Sequence, residues 1–446
     1  MKNTLIKDAT IINEGREFKG SILIENEKIS EIIEGNVSDS YGQNYNIIDA
    51  SGSYLIPGVI DDQVHFREPG LTQKGDLYTE SKAAAAGGVT SFMDMPNLIP
   101  QTTTLPLLED KHALAQTKAM VNYGFYIGGT NENWKEITAA DLNLACGIKI
   151  FMGSSTGNML VDNREVLNNF FANAKILIAT HCEDEETIRT NIKNALEKYG
   201  EDFPIAMHPQ IRSREACYKS SSLAVKLAKQ HDARLHILHL STADELQLLE
   251  KGNINNKQIT AEACVHHLWF SDEDYKRLGR FIKWNPAIKT SKDRDALIQA
   301  LNENVLDVIA TDHAPHTLKE KSGVYTKAAS GGPLVQHALQ AVLELHEQGK
   351  FAKEQVVHKM CHAPAQLFGI KNRGYIRKGY QADLCIFKKE KHTVNKDNLL
   401  YKCGWSPFDG TTFSHTITHT FANGHLIYNN GKFDESIKGQ ALIYNR

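Results

Sequence analysis

Short apolar runs alternate with helix-like stretches through the middle of the chain. Most of the runs are separated by segments such as DLYTESKAAAAGG, REACYKSSSLAVKLAKQH and SKDRDALIQALNEN. The eight runs are Val59–Ile60, Thr90–Met95, Gly124–Gly128, Ile148–Met152, Ile176–Thr180, Leu235–Leu238, Ile259–Ala263 and Val308–Thr311. Apolar runs that alternate with helices are typical of parallel strands buried on both faces. Eight such units predict an α/β fold, a (β/α)₈ TIM-type barrel, and a doubly wound open sheet is the alternative.

The two ends of the chain show a different pattern of short alternating runs and turn residues. TLIKDATII and SILIENEKISEII lie near the start, and THTFANGHLIYNNGKF lies near the end. Asn423-Gly424 and Asn430-Gly431 predict tight hairpin turns, because both central residues of a type I′ turn need positive φ. We therefore expect one small β-sandwich-like domain assembled from both termini around the barrel. The boundaries we expect are 1–57 and 376–446 for the β domain and 58–375 for the barrel.

Polar side chains stand at or near the ends of several apolar runs. They are Asp61, His65, Asn97, Lys149, His181, His239 and Asp312. Because the carboxyl ends of barrel strands meet at one mouth, we expect three imidazoles, a carboxylate and an amine to lie together there. Each residue alone has an ordinary alternative, such as a loop histidine or a turn-capping aspartate, but the alternatives would have to hold at five strand positions at once. Neutral imidazoles and a carboxylate at a barrel mouth are what a hydrolytic zinc site requires.

Composition narrows the possible classes of function. The chain has 446 residues and a net charge of −3 without a Lys/Arg cluster, so neither a nucleic-acid nor a membrane partner is expected. Its seven cysteines are scattered and form no CxxC pair, which favours free thiols in a reducing compartment. With no signal-peptide pattern and no apolar run of membrane-spanning length, the expected location is the cytoplasm. Five histidines in helix-like or loop segments are expected to be solvated: His112, His208, His231, His346 and His358.

Taken in order, the motifs along the chain resemble those of the dihydroorotases, within the amidohydrolase superfamily. VIDDQVHFREPG resembles the D-x-H-x-H-x-R-E-P-G segment of that family, and GGVTSFMDMPN resembles its second-strand segment ending in Met-Pro-Asn. GIKIFMGSSTG is similar to the strand whose lysine reacts with CO₂. The other similar segments are ATHCED, LHILHLST, AEACVHHLWF, KWNPAIKT, ATDHAPHT, GYIRKGYQADLCIF and GWSPFDG. The resemblance covers essentially the whole chain, and the set is far more specific than any one motif.

The resemblance implies a metal centre that contains a modified lysine. A CO₂-derived carbamate on Lys149 would make it a carboxylate able to bridge two zinc ions, which would explain a lysine inside an apolar strand. His65 and Asp312 would hold the more buried ion, and His181 and His239 would hold the more exposed one. Asp312 would also carry the proton during opening and closing of a cyclic amide.

The same resemblance implies an acidic small-molecule substrate, carbamoyl aspartate or dihydroorotate, in pyrimidine biosynthesis. Arg67 would bind a ring carboxylate through its planar guanidinium, with Asn97 and His316 as neutral partners. A salt bridge to Glu68 is the ordinary alternative for Arg67. Related allantoinases carry Asn at that position, and hydantoinases lack the Met-Pro-Asn ending. Further positions that resemble contacts to the pyrimidine ring are Asn285, Ser330 and Gly331. Dimers are common among such relatives, so a homodimer is expected.

One ligand position departs from the family pattern. Gln63 stands where the family has a histidine, and an amide oxygen is a poorer zinc donor than imidazole. Gln63 is then a weak ligand, or the enzyme holds one zinc ion per subunit instead of two, or the chain is a non-catalytic dihydroorotase-like subunit. An allantoinase-like or hydantoinase-like cyclic amidohydrolase is a further alternative. We favour an active enzyme, because a degenerate site has no reason to keep the other ligands together.

Overall fold

A computed structural model describes residues 3–38, 41, 44–153 and 158–446, so the end of the GIKIFMGSSTG segment lies outside the described residues. The first part of the chain forms short strands joined by turns. Those strands are β1 (Thr4–Asn13), β2 (Arg16–Glu25), β3 (Lys28–Glu34), β4 (Asn46–Asp49) and β5 (Tyr54–Pro57). β1 pairs antiparallel with β2 and parallel with β4 and β5, so the amino-terminal segment already builds half of a sheet.

The middle of the described chain forms a sheet of eight parallel strands in sequence order. The strands are β6 (Val59–Val64), β7 (Val89–Asp94), β8 (Asn122–Gly128), β9 (Ala145–Phe151), β10 (Ile178–His181), β11 (Leu235–Ile237), β12 (Ile259–Cys264) and β13 (Val308–Ala310). Each overlaps one of the predicted apolar runs, and every residue in them is buried. The first and last strands meet where the backbone N–H of His65 donates to the carbonyl of His313 at 2.7 Å. The predicted (β/α)₈ barrel is confirmed.

Helices cover the outside of the barrel. The α-helices are α1 (Leu77–Ala86), α2 (Leu105–Lys118), α3 (Trp134–Ala139), α4 (Arg164–Asn173), α5 (Glu185–Tyr199), α6 (His208–Ile211), α7 (Arg214–His231), α8 (Val265–Trp269), α9 (Tyr275–Leu278), α10 (Ser291–Asn302), α11 (Leu318–Lys321), α12 (Ala338–Glu347), α13 (Lys353–Val357) and α14 (Ala363–Leu367). A π-helical turn, His358–His362, joins the last two. Side-chain caps fix several starts: Asp76 accepts the amide of Thr79 at 2.7 Å at the start of α1.

The carboxyl-terminal part returns to the small sheet. Its strands are β14 (Leu384–Lys388), β15 (His392–Thr393), β16 (Thr412–Phe413), β17 (Thr416–Ala422), β18 (His425–Asn429) and β19 (Lys432–Phe433). β14 pairs with β5, so both termini contribute to one hydrogen-bonded sheet with its own apolar core, while β15 and β16 form a separate pair. The predicted turns at Asn423-Gly424 and Asn430-Gly431 are confirmed, since φ is positive at all four residues.

The last residues seal the amino-terminal end of the barrel. The amide of Tyr123 donates to the carbonyl of Gln440 at 3.0 Å, and the amide of Leu442 donates to the carbonyl of Tyr123 at 2.8 Å. The side chain of Leu442 is 4% exposed and packs in a cluster with Ile60, Met93 and Tyr126, inside the barrel. The tail therefore completes the core below the strands.

Of the five histidines expected to be solvated, four are only partly exposed and one is fully buried. His208 is fully buried, with Nδ1 at 2.6 Å from the hydroxyl of Tyr325 and Nε2 at 2.6 Å from the carbonyl of Trp284. That expectation was wrong, because α6 packs its first residue under the loop that carries Trp284. The helices within the described ranges include none that is both long and apolar enough to cross a bilayer.

Truncation of Leu442 should destabilise the fold. Leu442→Ala removes a buried side chain from the barrel end and should cost about 2–4 kcal/mol, a fall of several degrees in the thermal unfolding midpoint. Ile443→Ala is the matched control, because that neighbouring side chain is 64% exposed. Equal midpoints for the two variants would show that the tail does not belong to the core.

Candidate active site

All twelve residues predicted for the site line a single cavity at the carboxyl ends of the barrel strands. The cavity has a volume of about 310 Å³. The predicted residues on its wall are Gln63, His65, Arg67, Asn97, Lys149, His181, His239, Asn285, Asp312, His316, Ser330 and Gly331. They come from seven of the eight barrel strands or the loops that follow them. Convergence of strand ends, as expected for a barrel of this kind, brings them together.

His181 and His239 form one pair of imidazoles. Nδ1 of His181 lies 2.9 Å from Nε2 of His239, and Nε2 of His181 lies 3.0 Å from a carboxylate oxygen of Glu183. Glu183 is also paired with Arg212. Because the carboxylate only accepts, Nε2 of His181 carries the proton and Nδ1 turns its lone pair toward His239. Burial lowers the pKa of both histidines, so both are neutral, which is the form that binds metals.

His65 and Asp312 form a second pair. Nδ1 of His65 donates to the amide oxygen of Asn97 at 2.8 Å, which leaves Nε2 facing a carboxylate oxygen of Asp312 at 3.3 Å. Burial lowers the pKa of His65 well below its usual range and raises the pKa of Asp312 to about 7. The arrangement offers one imidazole nitrogen and one carboxylate to the cavity. Asn97 thus orients a histidine in addition to lining the cavity.

Gln63 contacts Asp312 rather than a histidine. Its amide Nε2 donates to Asp312 at 3.4 Å, and its Oε1 faces the thiol of Cys264 at 3.6 Å. If the amide of Gln63 were flipped, its oxygen would face the carboxylate oxygen of Asp312, and both are acceptors. The carboxylate therefore fixes the orientation in which Nε2 faces Asp312. The oxygen that could bind a metal therefore points away from Asp312.

Lys149 is the least satisfied group in the cavity. It is 1% exposed, and its Nζ has no hydrogen-bond acceptor among the residues that the structure describes. The ammonium group lies 4.5 Å from the centre of the Phe151 ring. Burial lowers the pKa of Lys149 to about 7, so a neutral amine is accessible near neutral pH. A buried amine with no acceptor favours chemistry at that nitrogen.

Arg67 and Lys74 place positive charge on the cavity wall. Nε of Arg67 donates to the carbonyl of Pro315 at 3.1 Å, and one terminal nitrogen lies 3.2 Å from Nε2 of His316. Lys74 lies 3.3 Å from the other nitrogen of His316. Burial and the Arg67 charge lower the pKa of His316 to about 3, which keeps it neutral. Glu68 instead pairs with Lys118, so the ordinary alternative for Arg67 is wrong.

The remaining predicted residues form the rim. Gly331 uses its own backbone within the loop: its N–H donates to the carbonyl of Lys283 at 2.8 Å, and its carbonyl accepts from Lys321 at 2.7 Å. Its φ is +122°, and a Cβ there would lie 2.6 Å from the carbonyl oxygen of Ala314. Gly331 therefore brings the loop against the strand end, next to Ser330 and Asn285 on the cavity wall.

Three site residues have left-handed backbone conformations. The φ angles are +69° at Arg67, +40° at His239 and +48° at Asp312. Such conformations cost about 1–3 kcal/mol each in a non-glycine residue and persist only where the surroundings enforce them. One enforcing contact is the Asp61 carboxylate, which accepts from the hydroxyl of Thr311 at 2.6 Å and ties the first strand to the last.

Sequence reasoning missed three residues that shape the site: Lys74, Glu183 and Arg212. Glu183 lies two residues after His181 in ATHCED, and a carboxylate so close to a strand-end histidine was a usable signal for an orienting partner. Lys74 and Arg212 lie in loops, where the sequence gives no periodicity to place them.

Comparison with known proteins agrees with this geometry. Residues 54–427 match the Amidohydrolase family. A dihydroorotase from Methanosphaera stadtmanae is 31% identical over 429 residues, which cover 96% of this chain and 95% of that protein. The chain belongs to the amidohydrolase family. It is a cyclic amidohydrolase of the dihydroorotase type and acts on a small-molecule substrate. Enzymes of this family generally depend on metal ions.

Two further relatives show the range of this family. An allantoinase from Bacillus velezensis is 29% identical over 442 residues, which cover 96% of this chain and 94% of that protein. The solved structure of an L-hydantoinase (dihydropyrimidinase) from Arthrobacter aurescens superposes with a TM-score of 0.92 at 25% identity, over 99% of this chain and 100% of that one. The amidohydrolase fold is thus shared with enzymes of different names.

Gly331→Ala should disturb the rim of the cavity. The added methyl group meets Ala314 in addition to the strain of positive φ, so we expect a loss of about 1–3 kcal/mol, measured as a fall in the thermal unfolding midpoint. Gly323→Ala is the control, since its φ is +94° but the nearest atom to its Cβ is 4.0 Å away. Equal losses of stability in both variants would show that the close approach of Gly331 to Ala314 is not the reason for a glycine at this position.

Proposed function

We propose that this cyclic amidohydrolase is a zinc-dependent dihydroorotase, which reversibly closes N-carbamoyl-L-aspartate into L-dihydroorotate for pyrimidine biosynthesis. The observation that carries the proposal is one cavity lined both by Arg67 and Lys74 and by two histidine-containing pairs. A buried guanidinium and an ammonium group suit a substrate that keeps a free carboxylate through the reaction. The similarity to a dihydroorotase over nearly the whole chain supports the same reading.

The residues of the cavity fit a zinc centre. Two pairs would supply the ligands: His181 with His239, and His65 with Asp312. We further propose that Lys149 carries a CO₂-derived carbamate that bridges the pairs. The buried Nζ of Lys149, which has no acceptor within the described part of the chain, supports this modification. The orientation of Gln63 toward Asp312 and Cys264 supports a centre in which Gln63 is not a strong ligand.

Zinc in such a site would lower the pKa of water and polarise the amide carbonyl. The protein itself would move the proton. In ring opening, Asp312 accepts a proton from the attacking water and donates it to the ring nitrogen that leaves. In ring closure, Asp312 removes a proton from the terminal carbamoyl nitrogen, which attacks the side-chain carboxyl carbon. Asp312 then returns that proton to the departing carboxyl oxygen, which takes a second proton from solvent and leaves as water.

Two features of Asp312 suit that role. Burial raises its pKa to about 7, so its carboxyl group can hold and release a proton near neutral pH. Its backbone is fixed from several directions, since its carbonyl accepts from the indole N–H of Trp284 at 3.3 Å and the preceding Thr311 is tied to Asp61. Asp312 therefore has little freedom to leave the reacting atoms.

Substrate recognition would depend mainly on Arg67. Its guanidinium remains protonated, since burial lowers its pKa only to about 10. Neutral His316 beside it can donate or accept without adding charge, and Asn97 and Asn285 can contact the ring amides. One or two zinc ions per subunit, a homodimer and a cytoplasmic location stay predictions of the sequence.

Ring closure by the purified protein tests the proposal. With added zinc, the absorbance of dihydroorotate should rise when carbamoyl aspartate is supplied, and Asp312→Asn should lower turnover by at least about 100-fold because the proton carrier is lost. Circular dichroism should show that the variant is folded. Asp295→Asn, at an exposed position on α10, serves as control. Absence of turnover by wild-type protein with zinc bound would contradict the proposed function.

Arg67→Lys should weaken substrate binding more than turnover. The lysine keeps a positive charge but loses the two-pronged contact with a carboxylate, so KM for carbamoyl aspartate should rise about 10–100-fold. Exposed Arg164→Lys should leave KM unchanged. Allantoin, which has no carboxylate, provides a second comparison. Faster turnover of allantoin than of dihydroorotate by the wild-type protein would contradict an acid-specific site.

A further inference from the structure

Three ionisable side chains face one another inside the barrel, below the active-site cavity. They are Asp62 on β6, His236 on β11 and Glu262 on β12. All three have 0% exposure, and none lines the cavity. Their ligand atoms all lie within 4.8 Å of one another, and no other group of His, Cys, Asp or Glu in the described ranges does so. The catalytic role proposed above uses none of them.

The protonation of His236 follows from its neighbour on β12. The hydroxyl of Thr260 donates to the carbonyl of Leu235 at 3.2 Å, so its oxygen accepts from Nδ1 of His236 at 2.9 Å. The neutral imidazole therefore carries its proton on Nδ1, and its Nε2 lone pair faces the carboxylates of Asp62 and Glu262. A lone pair between two carboxylates is repulsive, so a cation is required at this point.

The distances around His236 fit the ligands of a metal ion. Nε2 of His236 lies 3.4 Å from Asp62 Oδ2 and 3.3 Å from Glu262 Oε2. Charge-assisted hydrogen bonds between these groups are typically about 2.7–2.9 Å long. Ligands of a tetrahedral zinc ion with bonds near 2.0–2.1 Å are separated by about 3.3 Å. Both contacts around His236 match the second value.

Other histidine–carboxylate pairs in the chain support this reading. Nε2 of His313 lies 2.9 Å from Glu80, and Nε2 of His181 lies 3.0 Å from Glu183, as in ordinary hydrogen bonds. Both contacts of His236 are longer than either of these hydrogen bonds.

Asp62 gives an independent indication. Neither of its carboxylate oxygens accepts a hydrogen bond from the residues described, although both are buried. An ionised carboxylate that is buried without donors is costly unless a charge compensates it. Burial lowers the pKa of His236, but its contacts with Asp62 and Glu262 outweigh burial and raise it to about 9, so without a metal the imidazole holds a second proton. With a metal ion on Nε2 in place of that proton and both carboxylates ionised, the ligands carry a charge of −2, which one divalent cation balances.

We propose that Asp62, His236 and Glu262 form a further binding site for a divalent transition cation, zinc, separate from the catalytic centre. The second oxygen of Glu262 accepts the backbone N–H of His239 at 2.9 Å. A cation on Glu262 would thus fix the strand end that presents His239 to the cavity. The three residues would be positioning residues, since none reaches the substrate. The site stands on its own contacts and does not require the proposed function.

Diffraction at the zinc absorption edge provides the direct test, on crystals of the wild-type protein grown with zinc. An anomalous peak is expected about 2.0–2.2 Å from Asp62 Oδ2, His236 Nε2 and Glu262 Oε2, distinct from any peak at His181 and His239. An imidazolium proton shared by the carboxylates predicts no peak there. A peak at His181 and His239 alone would therefore overturn this inference and leave the proposed function intact. No peak at either place would overturn both.

Zinc content in solution gives a second readout. Asp62→Asn should lower the zinc bound per chain by about one equivalent, because the weakened site no longer balances the cation's charge. Glu245→Gln is the matched control: this buried glutamate is satisfied by Ser221 and Thr242 and should leave zinc content unchanged. The double variant His181→Asn, His239→Asn should retain the interior ion. Unchanged zinc content in folded Asp62→Asn protein would contradict the inference.

Discussion

Burial of charge inside a closed barrel is the constraint on which the rest of this structure depends. A parallel barrel removes both faces of its strands from water, so each ionisable side chain that points inward needs a partner. Most buried ionisable groups of the strands have one: Asp94, which faces α2, pairs with Lys111 at 2.7 Å, and Asp61 accepts from Thr311. The inward groups that lack hydrogen-bond partners within the described chain, notably Lys149 and Asp62, are where added chemistry would stabilise the fold as well as serve a function.

Hydrogen-bond partners decide which ring nitrogen of each buried histidine carries the proton. Glu183 holds the proton of His181 on Nε2, Asn97 holds that of His65 on Nδ1, and Thr260 holds that of His236 on Nδ1. In each case the nitrogen opposite the partner is left as a lone pair directed inward. His313 differs: its Nδ1 accepts the amide of Leu334 at 2.9 Å and its Nε2 donates to Glu80. Both nitrogens are used, so His313 is structural.

Sequence patterns predicted the parts of the molecule that repeat. The eight barrel strands could be predicted because strands buried on both faces leave continuous apolar runs. The hairpin turns could be predicted because Asn-Gly readily adopts the positive φ angles that such turns need. The convergence of distant residues followed from the barrel rule. Contacts between particular side chains did not follow. Nothing in the sequence showed that Lys74 approaches His316 from a loop, or that His208 is buried beneath Trp284, because both depend on how loops pack.

Strand β6 shows why simple alternation also fails near the site. In a regular strand, side chains alternate between the two faces, so Asp62 would point to the face opposite Gln63 and His65. The pairing of β6 with β7 is irregular, however, because its register shifts between Asp61 and Val64. The shift lets Asp62 reach His236 in the interior while Gln63 and His65 reach Asp312 at the cavity. One strand thus serves two layers of polar groups.

The contacts of Gln63 explain how a glutamine can stand where the family pattern has a ligand histidine. Imidazole at this position would face the same carboxylate as His65, whereas the glutamine amide donates one hydrogen bond to Asp312 and accepts another from Cys264. Gln63 therefore supports the carboxylate of Asp312, while the adjacent Asp62 adds a carboxylate one layer deeper. A degenerate site would have no reason to retain charged groups in both layers, since each costs free energy unless it is compensated.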